Sequence, residues 1–237
     1  MATVTKTLIL FICVLFSFVC SGQLTKYPPR DDSKRDSELN SFIHELKQII
    51  RNKDEKKLIS IIHPDIKFDF DDGIGIDKFK KTWMPEDQNS ELWTVLDKIV
   101  GLGGVFVKNR NNPFYEFVFP YVNQVDLDNP DDFFNILVVT DKNVNVRERP
   151  DVKSKVLGQL TYDIVRYDYE KSYPLTEKSL IEGLSFYGPK EWYYIETDDK
   201  KLSGFIYWDF VWSPIDYRMF LTKEKGTWMI SCLIAGD

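Results

Sequence analysis

Aromatic and arginine side chains in the C-terminal half of the chain are the residues best suited to binding chemistry. The residues that could line a groove there are Tyr187, Trp192, Tyr194, Tyr207, Trp208, Arg147 and Arg149. Grooves lined by aromatic rings seat extended peptides, and an arginine at the rim can pair with a carboxylate of the ligand. The alternative is that neighbouring segments bury the same rings as core. The sequence leaves both interpretations open.

The candidate nucleophiles and bases form no recognisable catalytic pattern. His44 and His63 both fall on predicted helices, and Cys232 lies in an apolar segment typical of a buried strand. A catalytic thiol needs a histidine beside it, and the chain has no G-x-S-x-G nucleophile elbow. We therefore expect no catalytic residue, no cofactor and no enzymatic activity. An exported cell-wall hydrolase with an unrecognised site is the remaining alternative.

A cluster of aspartates is the main candidate for metal binding. Its members are Asp65, Asp69, Asp71, Asp72 and Asp77, which surround Gly73 and Gly75. Oxygen-rich loops suit calcium, but the spacing departs from the D-x-D-x-D-G loop with its distal glutamate. Asp69 and Asp71 alternate with apolar residues, so we interpret them as the solvated face of a strand and expect no metal site.

The N-terminus has the three-part pattern of a secretory signal peptide over residues 1–22. Lys6 precedes an apolar run from Leu8 to Val19, and the small residues Ser21 and Gly22 follow. The run is shorter than the ~20 residues that span a bilayer as a helix. We predict export to the periplasm or the exterior. Membrane attachment would require lipidation of Cys20, which is the minor alternative.

The charge of the chain argues against nucleic-acid binding. The net charge is -6, and removal of residues 1–22 takes away Lys6 and no acid, which leaves -7. Proteins that bind nucleic acid need a basic surface. We therefore expect no nucleic-acid partner.

Residues 37–125 are predicted to form an α+β domain, preceded by a flexible polar tether over 23–36. Ser37, Asp54 and Ser90 can each cap a helix, and apolar residues recur at helical spacing after each. A further helix is predicted from Asp77 to Trp83. The predicted strands cover 66–70, 105–108 and 114–119. Residues 126–139 are interpreted as an acidic linker that leads into a strand.

Residues 140–213 show the pattern of a small all-β unit. Val144 and Val146 alternate with polar residues, Pro150 ends that strand, and Gly158 marks a close approach within the next. The predicted strands are 144–147, 156–160, 164–169, 192–196 and 204–210.

The order of these motifs resembles the bacterial SH3-like (Src homology 3-like) domain. The matching residues are Asn145-Val146-Arg147 with Pro150, Val156-Leu157-Gly158, Trp192-Tyr193 and Gly204-Phe205-Ile206. The chain departs from the family pattern at Phe205, where tryptophan is usual, at Asp163, where glycine is common, and in an insertion over 170–190. The resemblance implies a barrel that acts as a binding module, mostly outside the cytoplasm, with a peptide, peptidoglycan or an envelope protein as its partner.

The C-terminal residues 214–237 are predicted to form a β-hairpin around Lys225-Gly226. Because an isolated hairpin is marginal in water, we expect it to pack on the α+β domain. The sequence thus predicts an exported, non-enzymatic adaptor or binding protein. A structural envelope protein, in which the barrel serves only for packing, is the alternative.

Overall fold

The structure, a computed structural model, describes residues 26–70, 72–107, 116–127, 130–174 and 190–236. Within these ranges the fold is mixed α+β, as the sequence pattern predicts. The predicted leader, Asp71, Tyr187 and most of the 170–190 insertion lie outside the described residues.

Helices occupy the N-terminal half, and strands dominate the rest. The helices are α1 (Ser37–Asn52), α2 (Glu55–Ser60), α3 (Ile76–Trp83) and α4 (Glu91–Gly101). The strands are β1 (Ile62–Lys67), β2 (Val105–Phe106), β3 (Phe117–Phe119), β4 (Ile136–Val139), β5 (Val144–Arg147), β6 (Val156–Leu160), β7 (Ile164–Pro174), β8 (Lys190–Glu196), β9 (Ser203–Tyr207), β10 (Val211–Trp212), β11 (Arg218–Glu224) and β12 (Thr227–Ile234). Short 3-10 helices cover Ser33–Arg35, Tyr121–Gln124, Pro130–Asn135 and Trp208–Phe210.

The helix caps follow the sequence with one correction. Asp54 and Ser90 accept hydrogen bonds from first-turn amides of α2 and α4, as predicted. The cap of α1 is Asp36 instead of Ser37, because the Asp36 carboxylate accepts from two amides of the first turn at 2.9 and 3.0 Å. Ser37 is therefore the first helical residue.

The prediction that His63 lies on a helix is wrong. Helix α2 ends at Ser60, and His63 belongs to β1, which pairs in parallel with the distant β12. The predicted strand 66–70 is likewise displaced. Its second half turns back, so that the amide of Phe68 donates to the carbonyl of Gly73 at 2.8 Å.

A five-stranded sheet in the order β1-β12-β11-β3-β2 carries the first core. Strands β11 and β12 form the hairpin at Lys225-Gly226, where both residues have positive φ, and pair with β3 and β1. The C-terminal strands therefore share a sheet with strands of residues 62–119. Helices α1 and α4 pack on this sheet through fully buried residues such as Leu39, Leu46 and Leu92.

A seven-stranded sheet in the order β10-β4-β7-β8-β9-β5-β6 forms the second unit. In the part of the chain that the structure describes, β10 and β6 are its edges and no sheet closes into a barrel. Side chains of one face, including Val146, Val165, Ile195 and Ile206, make a second core of their own.

The two cores meet at strands β4 and β10. Ile136 and Val138 of β4 face the first core, whereas Leu137 and Val139 face the second. Successive side chains of a strand point to opposite faces of the sheet, so this arrangement buries β4 on both faces. The seven-stranded sheet is thus attached to the helical unit by one end.

A lysine of α4 completes this junction. The Lys98 ammonium lies 2.8 Å from a carboxylate oxygen of Asp209 and 3.8 Å from the ring centre of Trp208. Its side chain is only 19% exposed. Burial lowers the pKa of Lys98, against the opposing effect of the Asp209 carboxylate.

The segment predicted as a flexible tether is packed from residue 26 onward. Tyr27 is buried, stacks on Tyr121 with ring centres 5.3 Å apart, and donates its amide to the Tyr162 carbonyl. The Lys26 ammonium pairs with Asp163 at 3.0 Å. The polar composition suggested disorder, but Tyr27 buries a large ring that anchors the segment between the two units.

The acidic linker is also held in place. Arg166 of β7 donates two hydrogen bonds of 3.0 Å to the two carboxylate oxygens of Asp132. These bonds hold the pKa of Asp132 below its usual range. A bidentate pair of this kind fixes direction as well as distance, so Pro130–Asn135 enters β4 in a defined orientation.

Candidate ligand-binding groove

Strand parity divides the residues of β8 and β9 between two faces. Ile195 and Ile206 are fully buried in the second core, and Tyr193 on the same side packs against it partly buried. Trp192 and Tyr207 are direct cross-strand partners on the opposite face, with ring centres 5.2 Å apart in an edge-to-face arrangement. The local alternation predicted this division, because successive strand residues point to opposite faces.

A second aromatic pair extends the same face. Tyr194 and Phe205 are opposite each other in the register, also with ring centres 5.2 Å apart. The Lys171 ammonium lies 5.0 Å from the Tyr194 ring centre. Edge-to-face pairs of this kind add about 0.5–1.5 kcal/mol beyond their buried area. The face is therefore an ordered aromatic ladder.

A cavity of about 280 Å³ opens beside this ladder, and we call it the aromatic groove. Its walls are Lys142, Asn143, Val144, Asn145, Arg147, Val152, Trp192, Tyr207 and Phe210. The three rings come from β8, β9 and the following 3-10 helix, while the polar residues come from β5 and the turn before it. Phe210 is 38% exposed and Val152 is 64% exposed, so apolar surface at the rim faces solvent.

Arg147 builds one side of the aromatic groove and also fixes the loop above it. One guanidinium N–H donates to the carbonyl of Ser154 at 2.7 Å. The buried Ser154 hydroxyl accepts from the amide of Arg149 at 3.0 Å. These bonds place Val152 over the groove. A guanidinium has five N–H donors, so further donors remain for a ligand.

Gly204 lets β9 approach β5 closely enough to bring Arg147 beside the rings. A Cβ atom at Gly204 would lie 2.5 Å from the Arg147 carbonyl oxygen, and the residue has φ of +153°. Contacts this short do not occur between real Cβ atoms and backbone oxygens. Glycine at this position is therefore a condition for the groove.

The structure brings together some of the predicted groove residues and separates others. Arg147, Trp192 and Tyr207 line the cavity, and Tyr194 lies in the same ladder outside it. Arg149 is exposed and is not among the lining residues. Trp208 packs against Lys98 at the junction between the two units. Tyr187 lies outside the described residues.

Sequence reasoning missed two kinds of lining residue. Phe210 sits in a 3-10 helix, where strand parity gives no face, and Val152 lies in a polar loop. Lys142 and Asn143 form the turn before β5, and Asn143 has a left-handed φ of 55°. The asparagine in this turn is a signal for such a conformation, but it does not indicate which groove the turn borders.

The remaining candidate chemistry has structural partners. The His63 Nδ1 atom accepts from the Asp65 amide at 3.0 Å, and Nε2 lies 3.2 Å from a Glu224 oxygen. Cys232 is buried at 2% exposure. Among the described residues no group of three or more histidine, cysteine, aspartate or glutamate residues could hold a metal ion. Within the aspartate cluster, Asp72 pairs with Lys78 at 2.6 Å.

A larger cleft of about 670 Å³ lies where α3 ends and α4 begins. Its charged lining residues are Lys53, Asp87 and Glu91, which carry both signs. The side-chain amide of Gln88 donates to the Lys53 carbonyl at 3.2 Å, and the Lys53 ammonium donates to the Gln88 carbonyl. This lining selects no class of ligand, in contrast to the aromatic groove.

Comparison with known proteins returns no family model, no curated protein and no solved structure that matches this chain. In the described ranges no helix is both long and apolar enough to cross a membrane. The function is therefore argued from the aromatic groove itself.

Proposed function

We propose that this protein is an exported, non-enzymatic binding protein whose aromatic groove recognises an extended peptide. One observation carries the proposal. Trp192, Tyr207 and Phe210 line an apolar cavity on a sheet face whose opposite side already has a complete core without them. Phe210 and Val152 expose apolar surface at the rim of this cavity, exposed apolar surface of this kind marks interaction sites, and aromatic-lined grooves bind extended peptide segments.

The glycines of the seven-stranded unit support its interpretation as an SH3-like module over residues 140–213. Gly158 and Gly204 are the glycines of the matching motifs, and at Gly204 a Cβ atom would lie 2.5 Å from the Arg147 carbonyl oxygen. An SH3-like module that binds peptides would use one face of such a sheet.

The alternative role as a packing module rests on the junction of β4 and β10 with the helical unit. That contact is made at one end of the sheet, whereas the aromatic groove lies on β5, β8 and β9. The groove strands β5, β8 and β9 are therefore separate from β4 and β10, and the two regions meet at the 3-10 helix, where Trp208 and Asp209 contact Lys98 and Phe210 lines the groove. The junction supports a rigid mounting of the groove.

The test of peptide recognition is selection on the purified protein of phage that display random dodecapeptides fused to the C-terminus of a coat protein, so that each peptide has a free C-terminus. Selected peptides are then measured on Phe210→Ala, which removes one exposed wall of the groove. The matched control is Phe70→Ala, since Phe70 is 54% exposed in the other unit. We expect binding to fall at least tenfold in Phe210→Ala and to stay unchanged in Phe70→Ala. Equal binding of the selected peptides to both variants would refute peptide recognition by the groove.

A sacculus pull-down separates cell-wall recognition from peptide or protein recognition. If the protein is retained on purified peptidoglycan and Phe210→Ala abolishes that retention, the ligand of the groove is the cell wall and not a peptide. Export is tested by N-terminal sequencing of the protein from the culture medium or periplasm. A new N-terminus at Gln23 supports cleavage of residues 1–22, and an intact Met1 in the cytoplasm contradicts it.

A further inference from the structure

The aromatic groove has a charge opposite to that of the whole chain. The chain carries a net charge of -6, yet the charged residues among the groove lining are the cations Lys142 and Arg147. Neither cation has an ion pair with a carboxylate of the described residues. Local positive charge in an acidic chain favours an anionic group in whatever occupies the groove.

The size of the cavity limits how that anionic group can be supplied. A cavity of roughly 150 Å³ holds one benzene molecule, and the aromatic groove encloses about 280 Å³. This is room for one large apolar side chain together with the backbone group that carries it. The rings of Trp192 and Tyr207 share this space with the cations. The smallest ligand that fills this space is therefore a single residue that carries both the apolar group and the anion.

A residue that combines a large apolar side chain with a carboxylate is found at the C-terminus of a peptide. Aspartate and glutamate carry a carboxylate but have no apolar body to fill the space between the rings. We propose that the aromatic groove captures the C-terminal residue of a partner peptide, with its apolar side chain against Trp192, Tyr207 and Phe210 and its terminal carboxylate on Arg147, within the positive field of Lys142. This inference rests on the proposed peptide-binding function and specifies its ligand.

The geometry assigns separate roles to the two cations. Arg147 is half-buried and oriented by its bond to the Ser154 carbonyl. Planar guanidinium groups bind carboxylates through paired N–H donors. Lys142 is an exposed lining residue just before β5 and adds positive charge to the groove without orienting the carboxylate. Lys142 can therefore be changed without disturbing the loop that Arg147 holds.

The experiment compares three small probes with the purified protein by NMR titration. N-acetyl-L-phenylalanine has the terminal carboxylate, N-acetyl-L-phenylalaninamide lacks it, and the α-amide of N-acetyl-L-glutamate has a carboxylate only on its side chain. We expect the phenylalanine acid to bind at least tenfold more tightly than either amide, since charge-assisted bonds are about twice as strong as neutral ones. Phe210→Ala should abolish binding of the acid.

Charge variants complete the test. Lys142→Gln should weaken binding of the phenylalanine acid about threefold, on the scale of an exposed ion pair, and leave its amide unchanged. Lys155→Gln is the matched control, because Lys155 is exposed on the same hairpin and does not line the groove. An equal effect of both lysine variants on the acid would overturn the role of Lys142.

The other outcomes separate this inference from the proposed function. Equal affinity for the phenylalanine acid and its amide would overturn the carboxylate site while peptide recognition stands. Tight binding of the glutamate amide would overturn the assignment to a chain terminus. Binding of the acid that survives Phe210→Ala, or no binding of any probe, would also overturn it. Peptide recognition itself is decided by the phage-selected peptides.

Discussion

Replacing Lys98 by methionine tests how the two sheets are held together. The Lys98 ammonium is within 2.8 Å of Asp209 and lies 3.8 Å over the Trp208 ring centre, with the Trp212 ring centre 5.4 Å away. These contacts by themselves would suggest that Lys98 strongly stabilises the junction between the two sheets. We expect the opposite: the methionine variant should be nearly as stable as the wild type.

The magnitudes decide in favour of this expectation. A hydrogen bond to a charged group contributes about 1.5–3 kcal/mol, and a cation over a ring adds about 0.5–2 kcal/mol. Removing the ammonium from water costs several kcal/mol, and burial lowers the pKa of Lys98 despite the Asp209 carboxylate. Methionine avoids that cost and keeps contact with the rings, worth about 0.3–1.5 kcal/mol. The expected change in unfolding free energy lies within about 1 kcal/mol of zero.

The assay is urea unfolding of the four proteins of a double-mutant cycle, Lys98→Met, Asp209→Asn, both together and the wild type. Asp209→Asn alone should cost about 1–2 kcal/mol because it leaves a buried cation without its carboxylate. The same change in the methionine background should cost about 0–0.3 kcal/mol, so the coupling is about 1–2 kcal/mol.

Alkaline pH gives an independent check on the same residue. Because the folded pKa of Lys98 is lowered, the unfolded chain binds more protons between that value and the ordinary value of 10.5. Wild-type stability should therefore rise relative to Lys98→Met as the pH increases through this window. A fall of more than about 2 kcal/mol in the unfolding free energy of Lys98→Met at pH 7 would contradict the expected near-equal stability. The attraction of the Lys98 ammonium to Asp209 and the rings would then exceed the cost of removing it from water.

Three further changes test the groove and the helix caps. Gly204→Ala should lower the unfolding free energy by about 1–3 kcal/mol, because its Cβ would lie 2.5 Å from the Arg147 carbonyl oxygen; unchanged urea unfolding would contradict this. Trp192→Ala should lower the unfolding free energy by about 3–5 kcal/mol, since Trp192 is 5% exposed. A loss below about 1 kcal/mol in thermal unfolding would contradict its packing role. Asp36→Ala should cost about 1 kcal/mol at pH 7. Hydrogen bonds from the amides of Leu39 and Glu38 lower the pKa of Asp36. The difference in unfolding free energy between wild type and Asp36→Ala should therefore be complete above pH ~3.9, the ordinary pKa of aspartate, and should vanish as the pH falls through the folded pKa. A difference that persists in acid would contradict the cap.

Several features of the fold could be predicted because they depend on neighbours in the chain. Asp54 and Ser90 cap helices through bonds to amides two or three residues away. Alternation along β8 and β9 placed Trp192 and Tyr207 opposite Ile195 and Ile206. The Lys225-Gly226 turn likewise follows from local backbone preference.

Other features depend on distant partners and could not be predicted. His63 lies on a strand because β12 pairs with it from the far end of the chain. Tyr27 is ordered because it stacks on Tyr121. Neither partner is near in sequence, and local composition suggested a helix and a flexible tether.

The groove shows the same division. The sequence alone was enough to predict that aromatic side chains share one face of two adjacent strands, because the period of a strand is two residues. That Lys142 and Phe210 join these rings, and that Trp208 packs against Lys98 instead, follows from the three-dimensional fold. Strand parity sets the direction of a side chain, whereas the packing of distant segments sets what covers it.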